Sequence, residues 1–128
     1  MKQIVLLFLT GIILLALDSI YLSINRQFFE LQIVSIQRVA MTVNMTGVLL
    51  CYLILILGLY YFIVRENRDI FEAFLLGVFV YGIYETTNYA TFKKWSEKLV
   101  IMDTLWGGVL FASTTYLVRK FAKLLRVY

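Results

Sequence analysis

Four apolar runs, at about residues 4–24, 39–64, 70–91 and 99–118, restrict what this chain can become more than any other feature. As helices rising 1.5 Å per residue, each is long enough to cross a hydrocarbon core about 30 Å thick. Hydrophobic residues make up 62% of the chain and charged residues 16%, whereas soluble domains are roughly 45–50% apolar. The expected fold class is all-α, an integral membrane four-helix bundle, with residues 1–128 forming one transmembrane domain in a lipid bilayer.

The runs differ in character. The first carries Asp18 where a secretory signal would stay apolar, is longer than a signal core and lacks a small-x-small cleavage site, so it reads as a retained span. Residues 25–38 read either as a short interfacial helix between spans 1 and 2 or as a polar connection. In the second run, Leu49 to Tyr61 is free of charge, and Tyr60, Tyr61 and Phe62 ahead of Arg65 resemble an aromatic belt. The charged turn Arg65–Asp69 leads into the third span. A basic tail, 119–128, bears Arg119, Lys120, Lys123 and Arg126 and is expected to continue as helix along the headgroups.

Composition also excludes chemistry. The chain has no histidine, which removes histidine-based triads and the usual zinc ligand, and Cys51 has no second cysteine to pair with. No metal site and no cofactor are expected. Basic residues sit at the ends of the apolar runs rather than on one polar face, so the net charge of +4 reflects membrane topology and not a nucleic-acid partner. Four spans put Lys2, Arg65, Arg68, Arg119, Lys120, Lys123 and Arg126 on one side and Arg26, Arg38, Lys93, Lys94 and Lys98 on the other. The excess of positive charge on the first side predicts that both termini are cytoplasmic.

Against this background the polar residues inside the runs stand out. Asp18 lies six residues before the end of the first span, Glu85 six before the end of the third, Asp103 four after the start of the fourth and Asn44 five after the start of the second. All four are then about 6–9 Å from the same membrane face. Helical spacing groups Asp18 with Tyr21, Tyr81 with Glu85 and Asn88, and Asp103 with Trp106 and Gly107. Carboxyl groups at membrane depth cost roughly 2.5–3.5 kcal/mol on insertion scales and mark proton, ion or ligand sites. No lysine or arginine lies within the spans, although Arg38, Lys93 and Lys94 could snorkel inward. The expectation is that at least one carboxyl is protonated or that a cation occupies the layer. Asp18, Glu85, Asn88 and Asp103 are the candidate binding residues, with Tyr21, Asn44, Tyr81, Tyr84, Trp95 and Trp106 in support.

Three segments carry a family resemblance. Leu17-Asp18-Ser19-Ile20-Tyr21-Leu22, Tyr84-Glu85-Thr86-Thr87-Asn88-Tyr89-Ala90-Thr91-Phe92-Lys93-Lys94-Trp95 and Asp103-Thr104-Leu105-Trp106-Gly107 resemble Leu-Asp-x-x-Trp-Leu, Tyr-Asp-Leu-Thr-Asn-x-Ala-Thr-Leu-Lys-x-Trp-Pro and Asp-x-x-Trp-Gly. These are motifs of a family of small membrane proteins of unknown function, matched in order over nearly the whole chain. Tyr21 stands for a tryptophan, Glu85 for an aspartate and Ser96 for a proline. The resemblance implies four spans and one constellation of acids, and it supplies no activity.

Three functions follow from these residues. The leading one binds or transports a proton, a cation or a small cationic solute through Asp18, Glu85 and Asp103, with a homodimer expected if a path crosses the bilayer. A structural or assembly protein would use the same acids as interhelical glue, with Gly77, Gly82, Gly107 and Gly108 allowing close approach. An intramembrane enzyme acting on a lipid or small molecule would need a nucleophile among Ser19, Thr86, Thr87, Thr91 and Thr104, or a hard cation on carboxylate oxygens.

Overall fold

A computed structural model describes residues 2–37, 44–92 and 95–126, with the backbone alone for 28–37. Four helices follow one another: α1 (Lys2–Gln37), α2 (Met45–Leu59) running into a π-helical turn (Tyr60–Val64), α3 (Ile70–Thr91) and α4 (Glu97–Leu124). The stretches Lys2–Gln27, Met45–Val64 and Ile70–Thr91 are each long and apolar enough to cross a membrane.

Their ends follow local rules. The Asn44, Asp69 and Ser96 side chains accept from the backbone N–H groups of Gly47, Glu72 and Leu99 at 3.2, 2.8 and 3.3 Å, satisfying donors that a helix start leaves unpaired. Asn67 adopts a left-handed φ of 53° in the turn before α3, a conformation asparagine tolerates better than most residues. At the end of the second span Arg65 N–H reaches the Tyr60 carbonyl at 2.8 Å, five residues back. This wider turn keeps Leu59, Ile63 and Val64 buried together while the Tyr60 hydroxyl donates to Gln3 Oε1 at 2.5 Å.

Two expected boundaries need correction. Helix α1 does not stop near Ile24: it continues for 36 residues, about 54 Å, so residues 25–37 are neither a separate interfacial helix nor a polar connection. Ser23, Asn25, Arg26 and Gln27 are ordinary helix residues, and neither glycine nor proline interrupts them. Helix α2 starts at Met45, not near Val39, with Asn44 as its cap; residues 38–43 lie outside the description. The third span matches the expected 70–91. Helix α4 begins two residues earlier than expected and continues through the basic tail to Leu124.

The fourth expected span lies on the least apolar of the four helices. Helix α4 is about 42 Å long at its 28 residues, yet it lacks the apolar content of the other three. Glu97 and Lys98 at its start and Arg119, Lys120 and Lys123 at its end lower its average, and between them polar and small residues face inward. Asp103, Gly107, Gly108, Thr114 and Thr115 are buried, while Ile101, Leu105, Val109 and Tyr116 form the exposed stripe.

Packing divides the bundle into two halves. Leu6 and Leu14 of α1, Leu59, Ile63 and Val64, Ala73 of α3 and Leu110, Phe111, Val118 and Ala122 of α4 make one apolar core near the termini. The largest interface joins α3 to α4, α1 lies against α4, and α2 rests on α1. Between helices in lipid, apolar burial has little driving force of its own, so close backbone approach and hydrogen bonds carry much of the association. Gly77 shows how close the approach is, since a Cβ there would press on the Gly107 carbonyl and lie 2.9 Å from Gly108 Cα. Neither backbone can retreat without separating the helices. We therefore expect Gly77→Ala to lower stability by about 1–3 kcal/mol in detergent unfolding, whereas Gly58→Ala, where a Cβ would meet nothing within 4 Å, leaves it unchanged or slightly raised.

Candidate functional site

The half of the bundle away from the termini gathers acids instead of an apolar core. Helix α1 presents Asp18 and, three residues on, Tyr21. Helix α3 presents Tyr81 and Glu85 one turn apart, and α4 presents Asp103 and Trp106. Glu85, Asp18 and Asp103 are only 1%, 5% and 7% exposed.

Neutral aromatic donors reach all three. Asp18 Oδ1 accepts from Trp106 Nε1 at 3.0 Å, and its Oδ2 accepts a short hydrogen bond from the Tyr52 hydroxyl. Asp103 Oδ1 accepts from the Tyr21 hydroxyl at 3.2 Å, and Glu85 Oε2 accepts from Trp95 Nε1 at 2.8 Å. The Glu85 and Asp103 carboxyl groups are also close enough to interact electrostatically. Tyr21 and Trp106 stack with their planes 2° apart and centroids at 4.4 Å, which fixes the orientation in which each serves its acid.

The backbone explains why Glu85 and Asp103 meet. A Cβ at Gly107 would stand 2.6 Å from Tyr81 Cβ, so only glycine lets the Tyr81 ring lie directly on α4. One turn from that contact, in opposite chain directions, come Glu85 and Asp103. Tyr81 also meets Phe111 edge-on at 6.3 Å, tying the acid layer to the apolar core. Trp95 comes from the connection between α3 and α4; it packs on Phe92 at 5.8 Å and is itself 8% exposed.

The other expected site residues are placed differently. Asn44 is exposed and caps α2, because α2 starts at Met45 and Asn44 precedes it. Asn88 is half-buried and interacts with Tyr84, one turn back on α3. Tyr84 is 59% exposed, since one residue of helix turns it about 100° from Glu85. Lys93, Lys94 and Arg38, considered as snorkelling cations, lie outside the described residues. Ser19, Thr86, Thr87 and Thr91 are exposed, and Thr86 and Thr91 donate to carbonyls of their own helix. The hydroxyl of Thr104 is buried on the α3-facing side without a partner among the described residues.

Tyr52 is the member that sequence reasoning passed over. Its signal was available: a phenol inside the charge-free second run needs a hydrogen-bond partner, and in lipid that partner must come from another helix. Among the described residues, no group of His, Cys, Asp and Glu is arranged to hold a metal ion. The chemistry open to the cluster is hydrogen bonding and the exchange of protons on carboxyl oxygens.

Residues 3–119 match the family model described as "Predicted membrane protein (DUF2177)". No curated protein and no solved structure matches the chain. The hydrogen-bond geometry gives a direct test. Tyr52→Phe removes the α2 donor to Asp18 and should cost about 1–3 kcal/mol in detergent unfolding, while Tyr116→Phe, on a ring that is 56% exposed, should change nothing measurable.

Proposed function

The chain belongs to the DUF2177 family of predicted membrane proteins, and from that premise we propose that it is a multi-pass protein whose Glu85–Asp103 pair binds a proton and passes it on as part of a transport cycle. One observation carries this reading. Two buried carboxyl groups close enough to interact repel each other when both are ionised, and a proton held between them relieves that repulsion. A proton needs no cavity, which suits acids this closed to their surroundings. A larger cation would compete for oxygen atoms of Asp18, Glu85 and Asp103 that accept from indole and phenol donors.

In this reading α4 crosses the bilayer as the fourth span, its inward polar face and the charged residues at its ends together lowering its hydropathy. Both termini are cytoplasmic, following the excess of Lys and Arg on their side. Helix pairs from two copies would supply the rest of a path, so the transporting unit is a homodimer.

A structural reading is favoured for one residue. Asp18 joins three helices, taking one donor from α2 and one from α4. It acts as the knot of the bundle, whereas Glu85 and Asp103 carry the exchangeable proton.

The test is proton flux into liposomes loaded with a pH-sensitive dye and containing purified protein. Glu85→Gln should abolish flux at every pH tried while thermal stability in detergent stays within about 1 kcal/mol of the native chain, as a neutral isostere preserves the local hydrogen bonds. Asp18→Asn should chiefly lower stability. Equal flux in native and Glu85→Gln liposomes would refute the proton reading, and absence of flux from both would leave the acids as structural glue.

A further inference from the structure

The end of the bundle that carries the termini is basic in a way the acid layer does not explain. Its turn, the first turn of α3 and the last turns of α4 together hold Arg65, Arg68, Arg119, Lys120, Lys123 and Arg126 against Glu66, Asp69 and Glu72. The three acids are already engaged: Glu66 pairs with Arg65 at 2.9 Å, Glu72 with Arg68 at 3.5 Å, and Asp69 caps α3.

The surface is also fixed in place. The Arg119 guanidinium donates from Nη2 to the Arg68 carbonyl, which ties α4 to the turn joining the second and third spans. That turn connects two segments long and apolar enough to cross a membrane, so it lies at a membrane face, and Arg119 is held at the same level. Lys123 follows Arg119 by one helical turn and shares its side of α4; Lys120 adjoins it. Exposed apolar side chains accompany these cations: Phe121, Leu124 and Leu125 are 43%, 70% and 61% exposed. Cations beside apolar side chains at a membrane face match a phospholipid at the depth where phosphate gives way to acyl chain.

We propose that the end of α4 and the Arg65–Asp69 turn form a binding site for the headgroup phosphate of an anionic phospholipid, with Arg68, Arg119, Lys120 and Lys123 around it. Arg119 sets the position of the site through its bond to the Arg68 backbone. The two exposed lysines supply positive charge for the phosphate, whose own charge a zwitterionic headgroup would already neutralise with its ammonium. The site is independent of the proton chemistry at the other end of the bundle.

The experiment titrates detergent-solubilised full chain with phosphatidylglycerol, with phosphatidylcholine of the same acyl chains, and with inorganic phosphate. It reads thermal stability and, by native mass spectrometry, retained lipid. Phosphatidylglycerol should bind saturably and raise the melting temperature, with the other two weak or silent. The variant Lys120→Gln/Lys123→Gln, which leaves the Arg119–Arg68 bond intact, should bind phosphatidylglycerol roughly thirtyfold more weakly, and Lys120→Arg/Lys123→Arg should restore binding. Equal binding of phosphatidylcholine, an equal response to inorganic phosphate, or undiminished phosphatidylglycerol affinity in the glutamine variant would each overturn the assignment.

Discussion

The approach of α3 to α4 along Gly77, Gly107 and Gly108 is the contact on which the rest depends. It leaves no room for a Cβ at Gly77 or Gly107, and by removing that spacing it brings Glu85 and Asp103 into reach of each other. In lipid the reward for covering apolar surface is small, so a bundle of this size is held by such backbone proximity and by polar bonds between helices. The acids and the glycines are parts of one arrangement: the seam that has no room for a Cβ at Gly107 sets the Tyr81 ring on α4, one turn from Glu85 and from Asp103.

The two halves of the bundle divide the labour. Near the termini, Leu6, Leu59, Val64, Leu110 and Phe111 make an apolar core. Toward the other end, four aromatic N–H and O–H donors from α1, α2, α4 and the α3–α4 connection converge on three acids. Tyr81 belongs to both halves, its ring on Gly107 and against Phe111.

Much of this was legible in the sequence. Charge-free length identified the second span, and an acid inside an apolar run marked Asp18, Glu85 and Asp103, because both signals depend on the chain's own composition. Counting residues from the ends of the spans put the three acids at one level; in the structure each is buried and each accepts from an aromatic donor. The same counting misplaced Asn44, since it assumed that α2 begins where the apolar run does, whereas capping sets the start at Met45. Tyr84 was grouped with Glu85 through a sequence motif, but adjacency in a motif is not adjacency on a helix. Tyr52 was missed because its meaning lies in a partner 34 residues away on another helix. The continuation of α1 through residues 25–37 was equally hidden, because polar residues compatible with a loop are also compatible with helix once the preceding turns exist.

The two tryptophans of this chain, Trp95 and Trp106, both donate their indole N–H to a member of the acid layer. All of the protein's indole emission therefore originates beside a carboxyl group. Excited at the red edge of the absorption, beyond the reach of the nine tyrosines, that emission is a local reporter of the polar layer. A rearrangement or change of charge at Asp18 or Glu85 would be visible as a shift in colour or intensity without any added label.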